Sequence, residues 1–314
     1  MRTVFGVLAL VPVIALVLIT MNIVLGSTLA FDKVGTGLFA TTLNPSSEGG
    51  LPGSMRFGLV PALWGTLMVV AISMCIAFPI SLALACLAND FAVRFSGTAI
   101  RWMNGVLSGI PPIVYGLVGT TFYIWFLWAK VGGKGLSAAT DPPLPPPGTL
   151  PTDASATLLG GFMLSLLIIP FMTPLLDDAL HNVPSSLKEA SLALGAGRWH
   201  TLKAVSIPYA LPGIVNAALL GMLTALGESI IVAYAIGLSA QALPTPLYDV
   251  LQRTAPLTAT IATLAAGGFT RFSTVGPIGR SVANVMGLLL LVAAFAILGL
   301  SLYLQRRIRK RLAV

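Results

Sequence analysis

The sequence predicts an all-α, polytopic membrane protein with about six transmembrane helices. Of its 314 residues, 56% are hydrophobic and 9% are charged, and the mean hydropathy is +0.92. A soluble globule is excluded because such domains carry about 25% charged residues, and disorder is excluded because it requires low hydrophobicity. The two cysteines exclude a disulfide scaffold, and the glycines lack the three-residue period of collagen.

Uncharged runs that can hold a helix of about 20 residues define the predicted spans, because a charge is costly in hydrocarbon. The predicted spans are Thr3–Phe31, Phe57–Asn89, Trp102–Ala129, Ala154–Leu176, Ala204–Tyr248 with Glu228 inside it, and Ser281–Gln305. A shorter uncharged run, Thr254–Thr270, is predicted to be an external or re-entrant segment. We expect the first span to be retained, because its apolar stretch is longer than the core of a cleaved signal peptide.

The basic residues predict the orientation of the chain. Five of the 18 Lys and Arg residues lie in a tail at 305–314, directly after the last span. Cytoplasmic loops collect Lys and Arg, so both termini are predicted to be cytoplasmic. Topology therefore explains the net charge of +8, and no nucleic-acid partner is expected. We divide the chain into an N-terminal span with an external loop, 1–56, and a membrane core, 57–314.

The segment between the fourth and fifth predicted spans, 182–208, is predicted to hold two short helices joined by a glycine turn. Ser186 and Glu189 have the spacing of a capping box at the start of the first helix. Gly195 is expected to end that helix, and Arg198–Ser206 to form the second. A small, weakly polar helix exposed in a cytoplasmic loop needs a partner surface.

The 182–208 segment resembles the coupling motif of ABC-importer membrane subunits: Glu-Ala-Ala, three residues, Gly, nine residues, Ile-x-Leu-Pro. The chain has Glu189-Ala190-Ser191, Gly195 and Val205-Ser206-Ile207-Pro208 at that spacing. The resemblance implies the type I ABC importer permease fold and a cytoplasmic coupling helix that docks on a separate ATPase subunit. It assigns the ATPase-coupling role to four residues, Glu189, Ala190, Gly195 and Arg198.

The sequence contains no Gly-x-x-x-x-Gly-Lys-Ser/Thr loop of the kind that cradles ATP phosphates. The chain is therefore predicted not to be an enzyme and to bind no cofactor itself, with ATP used by the partner ATPase.

Two other stretches, Ser108–Leu117 and Leu223–Gly237, resemble the membrane subunits of phosphate-uptake ABC transporters. The resemblance implies uptake of inorganic phosphate by alternating access across a prokaryotic cytoplasmic membrane. The implied partners are an ATP-binding subunit, a second homologous permease subunit, an external solute-binding protein and membrane lipid. The alternative cargo is another oxyanion (molybdate, tungstate or sulfate), because the family typically has Arg where this chain has Thr224.

Four residues are candidates for the translocation pathway: Glu228, Thr224, Pro111 and Pro112. Glu228 is the only charged side chain inside a predicted span, where a carboxylate marks a pathway group, a proton acceptor or half of a pair. Its alternative role is to bond backbone groups freed at a helix break. The double proline is predicted to interrupt the third span.

Two other classes of protein remain open. An ion-coupled secondary transporter is less favoured, because such proteins often carry several intramembrane ionisable groups and internal repeats. A membrane enzyme would need a cluster of reactive side chains, for which Asp177, Asp178 and His181 are the one compact candidate. A solvated helix end explains those three residues better than a metal site does.

Overall fold

The structure is a computed structural model that describes residues 2–44, 56–91, 94–122, 156–228, 230–236, 243–250, 254–266 and 276–312. Its helices are α1 (Arg2–Val34), α2 (Leu59–Cys86), α3 (Arg94–Ser108), α4 (Pro112–Phe122), α5 (Ala156–His181), α6 (Ser185–Ala193), α7 (Arg198–Thr201), α8 (Ile207–Gly227), α9 (Ile230–Ile236), α10 (Leu257–Ala266) and α11 (Gly276–Leu312). A short antiparallel pair joins β1 (Leu43–Asn44) to β2 (Arg56–Phe57). The prediction of an all-α membrane fold is confirmed apart from this pair.

Five helical stretches of the described residues are long and apolar enough to cross a bilayer. They are Leu10–Phe39, Leu59–Phe91, Thr157–His181, Arg198–Gly227 and Pro277–Ile308, and they correspond to five of the six predicted spans. The remaining predicted span, Trp102–Ala129, is interrupted between α3 and α4, and its residues 123–129 lie outside the described part. The break falls at the double proline, as predicted, because proline cannot donate a backbone hydrogen bond to a continuing helix.

The described residues fall into two compact units. The first comprises Met1–Thr66, Leu238–Asp249 and Arg253–Ala293. Its core is apolar and includes Leu38, Phe57, Leu257 and Met286. The hydroxyl of Ser281 binds α1 to α11 in this unit, since it donates to the carbonyl of Gly26 at 2.6 Å and accepts from the amide of Ala30 at 2.8 Å.

The second unit comprises Leu67–Gly237, Val250–Gln252 and Ala294–Val314. Helix α5 is its central element and packs against α3, α4, α8 and α9. One face of α5 is fully buried along its length, through Leu164, Ile168, Met172, Leu176 and Leu180. Residues four apart share one face of a helix, which explains this stripe.

Glycines allow the helices of the second unit to approach α5 closely. A Cβ built at Gly213 on α8 would lie 2.6 Å from the Cβ of Ala179, and one built at Gly161 on α5 would lie 2.5 Å from the Cγ2 of Ile72. Small residues at such contacts let membrane helices pack backbone against backbone.

Candidate functional site

Helix α6, the first helix of the 182–208 segment, begins two residues earlier than the predicted capping box requires. Pro184 occupies the N-cap position with extended backbone (φ −55°, ψ 131°), and no side chain forms a capping hydrogen bond. Ser186 therefore lies inside the first turn, where it cannot act as the N-cap. The predicted capping box of Ser186 and Glu189 is wrong, because proline with its fixed φ supplies the helix entry instead.

Gly195 ends α6 as predicted, and it does so in a left-handed conformation with φ +85°. The amide of Gly195 donates to the carbonyl of Leu192 at 2.9 Å, and the amide of Ala196 donates to that of Ser191 at 3.2 Å. These two bonds form a Schellman motif, which satisfies carbonyls at the end of the helix. The turn therefore favours glycine, the residue type that the coupling motif has at this position.

The second helix of the segment continues directly into the next span instead of ending at Ser206. Helix α7, a π-helical turn at Leu202–Ser206 and α8 together form one helical stretch, Arg198–Gly227. Pro208 lies in the first turn of α8, where proline has no helical bond to remove. The predicted helix start at Arg198 is confirmed, and Pro208 lies at the start of α8, although no break separates α8 from the helical turns before it.

The four predicted coupling residues all lie on the exposed surface of this segment. Glu189 and Ala190 are on α6, Gly195 forms the turn and Arg198 begins α7. No residue of α6 is buried, and Leu194 at its end is 90% exposed. Large apolar side chains are also exposed on either side of it: Leu187, Leu192 and Trp199. An exposed apolar patch of this kind is typical of a docking surface.

A π-helical turn that follows α2, Leu87–Phe91, contacts the 182–208 segment through two consecutive residues that the sequence did not single out. The Nζ of Lys188 on α6 lies 2.8 Å from the Oδ1 of Asp90, and both side chains are largely shielded from solvent. The ring of the next residue, Phe91, lies 6.1 Å from the ring of Trp199 on α7. No sequence pattern links positions so far apart, so only the fold reveals these contacts.

Asp177 forms an ion pair with Arg101, and this pair replaces the metal-site interpretation of Asp177, Asp178 and His181. The Nε of Arg101 lies 2.7 Å from Oδ2 of Asp177, and the side-chain amide of Asn89 donates to Oδ1 of the same carboxylate. The hydrogen bond to Asp177 raises the pKa of Arg101 above its ordinary value. Among the described residues, no three His, Cys, Asp or Glu side chains come together as metal ligands.

We expect Asp177→Asn to lower the melting temperature of the detergent-purified chain by a few degrees, corresponding to about 1–2 kcal/mol. The amide keeps the shape of the side chain but loses the charge that Arg101 binds, and the half-exposed guanidinium limits the effect through solvent screening. The matched control is Asp178→Asn, which alters an exposed neighbour on the same helix. Equal shifts in both variants would contradict a specific role for the pair.

The predicted pathway residues lie at or near two helix breaks. The helices that follow these breaks, α4 and α9, pack against each other. Glu228 caps α8 with extended backbone (φ −75°, ψ 118°), and α9 begins at Ile230. Thr224, one turn earlier, donates its hydroxyl to the carbonyl of Leu220 at 3.0 Å. Pro111 and Pro112 mark the other break, and α4 packs against α9. The location of Glu228 at the end of α8, not within a helix, agrees with the alternative of a carboxylate at a helix break.

Comparison with known proteins identifies the fold and the family. The sequence profile of the family described as "Binding-protein-dependent transport system inner membrane component" matches residues 77–310. The chain is 33% identical over 270 residues to the "Probable ABC transporter permease protein YqgH" of Bacillus subtilis, covering 86% of this chain and 77% of that protein. It is 30% identical over 310 residues to the phosphate transport system permease protein PstC of Xylella fastidiosa. That match covers 95% of this chain and 87% of the Xylella protein.

Solved structures show the same fold. A chain of a bacterial alginate ABC transporter, solved in complex with its alginate-bound periplasmic protein, superposes with a TM-score of 0.62. That match covers 98% of this chain and 96% of the other, at 19% identity. A chain of the MetNI methionine ABC transporter, in an inward-facing conformation, gives a TM-score of 0.54 at 20% identity. That match covers 80% of this chain and 95% of the other.

These likenesses and the apolar helices define the class of protein as a multi-pass membrane permease with the type I ABC importer fold. The chain belongs to the family of binding-protein-dependent transport system inner membrane components. It is accordingly a transport subunit, and the predicted membership of the ABC-importer permeases is confirmed.

Proposed function

We propose that this chain is the permease subunit of an ATP-driven importer that carries inorganic phosphate into a prokaryotic cell by alternating access. The observation that carries the proposal is the extent of its likeness to a phosphate transport system permease, which includes 95% of this chain. A relative from Mesorhizobium japonicum with the same name is 31% identical over 278 residues.

The exposed 182–208 segment is the proposed docking site for a dimeric ATP-binding subunit. Its apolar side chains supply the burial that an interface needs, and the Schellman turn at Gly195 fixes its shape. The chain itself binds no cofactor in this proposal, and ATP is hydrolysed by the partner. A second homologous permease subunit and an external solute-binding protein complete the importer.

The proposed location is the cytoplasmic membrane, with both termini in the cytoplasm. The basic tail supports this orientation, because it extends α11 beyond its apolar part and exposes Arg306, Arg307 and Lys310. Lys and Arg after a span favour the cytoplasmic side.

The proposed translocation pathway follows the two broken helices. Transporter sites form where helices are discontinuous, because unwound backbone supplies polar groups inside the membrane. The breaks at Pro111 and at Glu228 have this character, and the helices that follow them pack together. In this proposal Glu228 and Thr224 contribute polar side chains to the pathway.

The test is uptake of radiolabelled phosphate into vesicles that contain this chain with the second permease, the ATPase and the binding protein of the same importer. We expect uptake to require internal ATP and to resist competition by excess sulfate or molybdate. Thr224, which replaces the Arg typical of the phosphate family, motivates that competition, and displacement by either anion would reassign the cargo. Uptake that follows a proton gradient without ATP would contradict the importer mechanism.

A further inference from the structure

Three consecutive residues at the end of the second span, Asn89, Asp90 and Phe91, contact three different helices. Asn89 donates to the side chain and the backbone carbonyl of Asp177 on α5. Asp90 binds Lys188 on α6, and Phe91 contacts Trp199 on α7. The short stretch Asn89–Phe91, which we name the α2 hub, thus connects a transmembrane helix to both helices of the 182–208 segment.

The ion pair is the strongest of these connections, because no other hydrogen bond to the Asp90 carboxylate is seen among the described residues. Its side chain is 12% exposed, and its Oδ2 is buried without a hydrogen-bond partner among the described residues. A shielded carboxylate that loses its counter-charge pays a desolvation cost with no compensation. Helix α6 therefore cannot move away from the end of α2 without exposing or stranding this charge.

The contact between the Phe91 and Trp199 rings is a second, independent connection between the α2 hub and the 182–208 segment. The planes of the Phe91 and Trp199 rings are inclined at 51°, and the ammonium of Lys203 lies 4.6 Å from the centre of the Trp199 ring. Trp199 thus contacts both an aromatic ring and a cation, and these contacts orient the indole. Both helices of the 182–208 segment are thus held to the same short stretch of chain.

The local backbone of the hub is a π-helical turn, Leu87–Phe91, that extends α2. Wider turns of this type occur often at functional sites, because they redirect side chains that a regular helix would point elsewhere. Here the turn allows neighbouring residues to reach α5, α6 and α7.

We infer that the α2 hub, through the Asp90–Lys188 ion pair, transmits movement of the 182–208 segment to the transmembrane helices. Asp90 and Lys188 are positioning residues in this inference, which rests on the proposed function. When the ATPase displaces α6, the pair pulls the end of α2, and Asn89 carries the displacement to α5. The pair thus acts between the site that receives the ATPase and the helices that form the pathway.

The first test uses the purified chain alone and measures backbone hydrogen exchange. Lys188→Met should accelerate exchange at Leu87–Phe91 at least threefold, because it strands the Asp90 carboxylate. Lys188→Arg keeps the charge and should exchange as the wild type does. The double variant in which the two charges are swapped, Asp90→Lys with Lys188→Asp, should restore slow hydrogen exchange. Unchanged exchange in Lys188→Met would overturn the inference whatever the chain transports.

The second test uses the complete importer and measures ATP-dependent changes in exchange together with uptake. In the wild type, ATP should alter exchange at both Ser185–Ala193 and Leu87–Phe91. In Lys188→Met the change at Ser185–Ala193 should persist, the change at Leu87–Phe91 should disappear and uptake should fall more than tenfold. Persistence of the nucleotide effect at Leu87–Phe91 would overturn the inference.

Failure of the proposed function has a different signature. A wild-type complex in which ATP changes exchange at both segments, but which takes up no phosphate, would contradict the cargo and leave transmission by the hub supported. A wild type without any nucleotide effect at Ser185–Ala193 would contradict docking of an ATPase there. The hub would then be overturned as a transmitter, even if the ion pair stabilises the chain alone.

Discussion

Gly195→Asp is expected to abolish ATP-dependent uptake, with a loss of at least 100-fold, while the chain still inserts and remains folded. A Cβ at this position meets no atom within 4 Å, so the chain itself has room for the new side chain. Asp tolerates left-handed backbone better than most residues, which keeps the cost of φ +85° to about 1 kcal/mol. The loss must then arise at the docking surface, where a charge is placed beside exposed leucines.

The matched control for this prediction is Gly197→Asp, two residues further along the same turn. Gly197 also has open space around it, but its backbone is extended (φ −73°, ψ 160°) and it is the N-cap of α7, where Asp is favoured. We expect this variant to retain most of its uptake. Uptake, membrane insertion and binding of the purified ATPase should be measured for both variants. Normal uptake by Gly195→Asp would contradict the coupling assignment, and equal loss in both variants would assign the effect to charge anywhere in the turn.

Gly161→Ala is expected to destabilise the chain by about 2–3 kcal/mol, because one methyl group overfills the contact between α5 and α2. The added Cβ would lie 2.5 Å from Cγ2 and 2.6 Å from Cβ of Ile72, and 3.3 Å from the carbonyl oxygen of Val69. A β-branched side chain on a helix has few rotamers available, so Ile72 cannot move aside cheaply. The helices must therefore separate to accommodate the methyl group.

The control is Gly105→Ala on α3, where an added Cβ meets nothing within 4 Å. We expect this variant to be unchanged or slightly more stable, since alanine favours the helix over glycine by up to about 1 kcal/mol. Thermal unfolding in detergent and the yield of folded chain measure both variants. A melting temperature for Gly161→Ala equal to that of Gly105→Ala would show that the contact with α2 is not close-packed.

The transmembrane helices were predictable because the cost of charge in hydrocarbon is a local property of the sequence. Charge-free runs identified five helices that the structure contains, and the double proline marked the break between α3 and α4. The turn at Gly195 was predictable for a similar reason, because left-handed backbone selects glycine within a few residues of a helix end.

Helix boundaries within the 182–208 segment were less predictable, because several residues compete to begin or end a helix there. Ser186 has the sequence signature of an N-cap, yet Pro184 occupies the N-cap position and the helix begins at Ser185. The second helix was expected to end at Ser206, yet α8 follows the π-helical turn there without a break, with Pro208 in its first turn. The local sequence is compatible with several helix boundaries and does not select one of them.

The contacts of the α2 hub were not predictable from the sequence, because they depend on which helices the fold brings together. Asp90 and Lys188 are 98 positions apart, and the sequence shows only two charged residues near the ends of helical runs. The close contact at Gly161 could not be predicted either, since this glycine on α5 is one of 32 in the chain. Only the distances between helices show which glycines lie at close contacts.

The unbroken course of Arg198–Gly227 gives this part of the chain the mechanics of a lever. Thirty helical residues extend about 45 Å, so a tilt of about 10° around the midpoint moves the two ends by about 4 Å in opposite directions. One end carries the exposed turn beside Arg198, and the other ends at Glu228. A push on the first end would therefore displace the second end in the opposite direction.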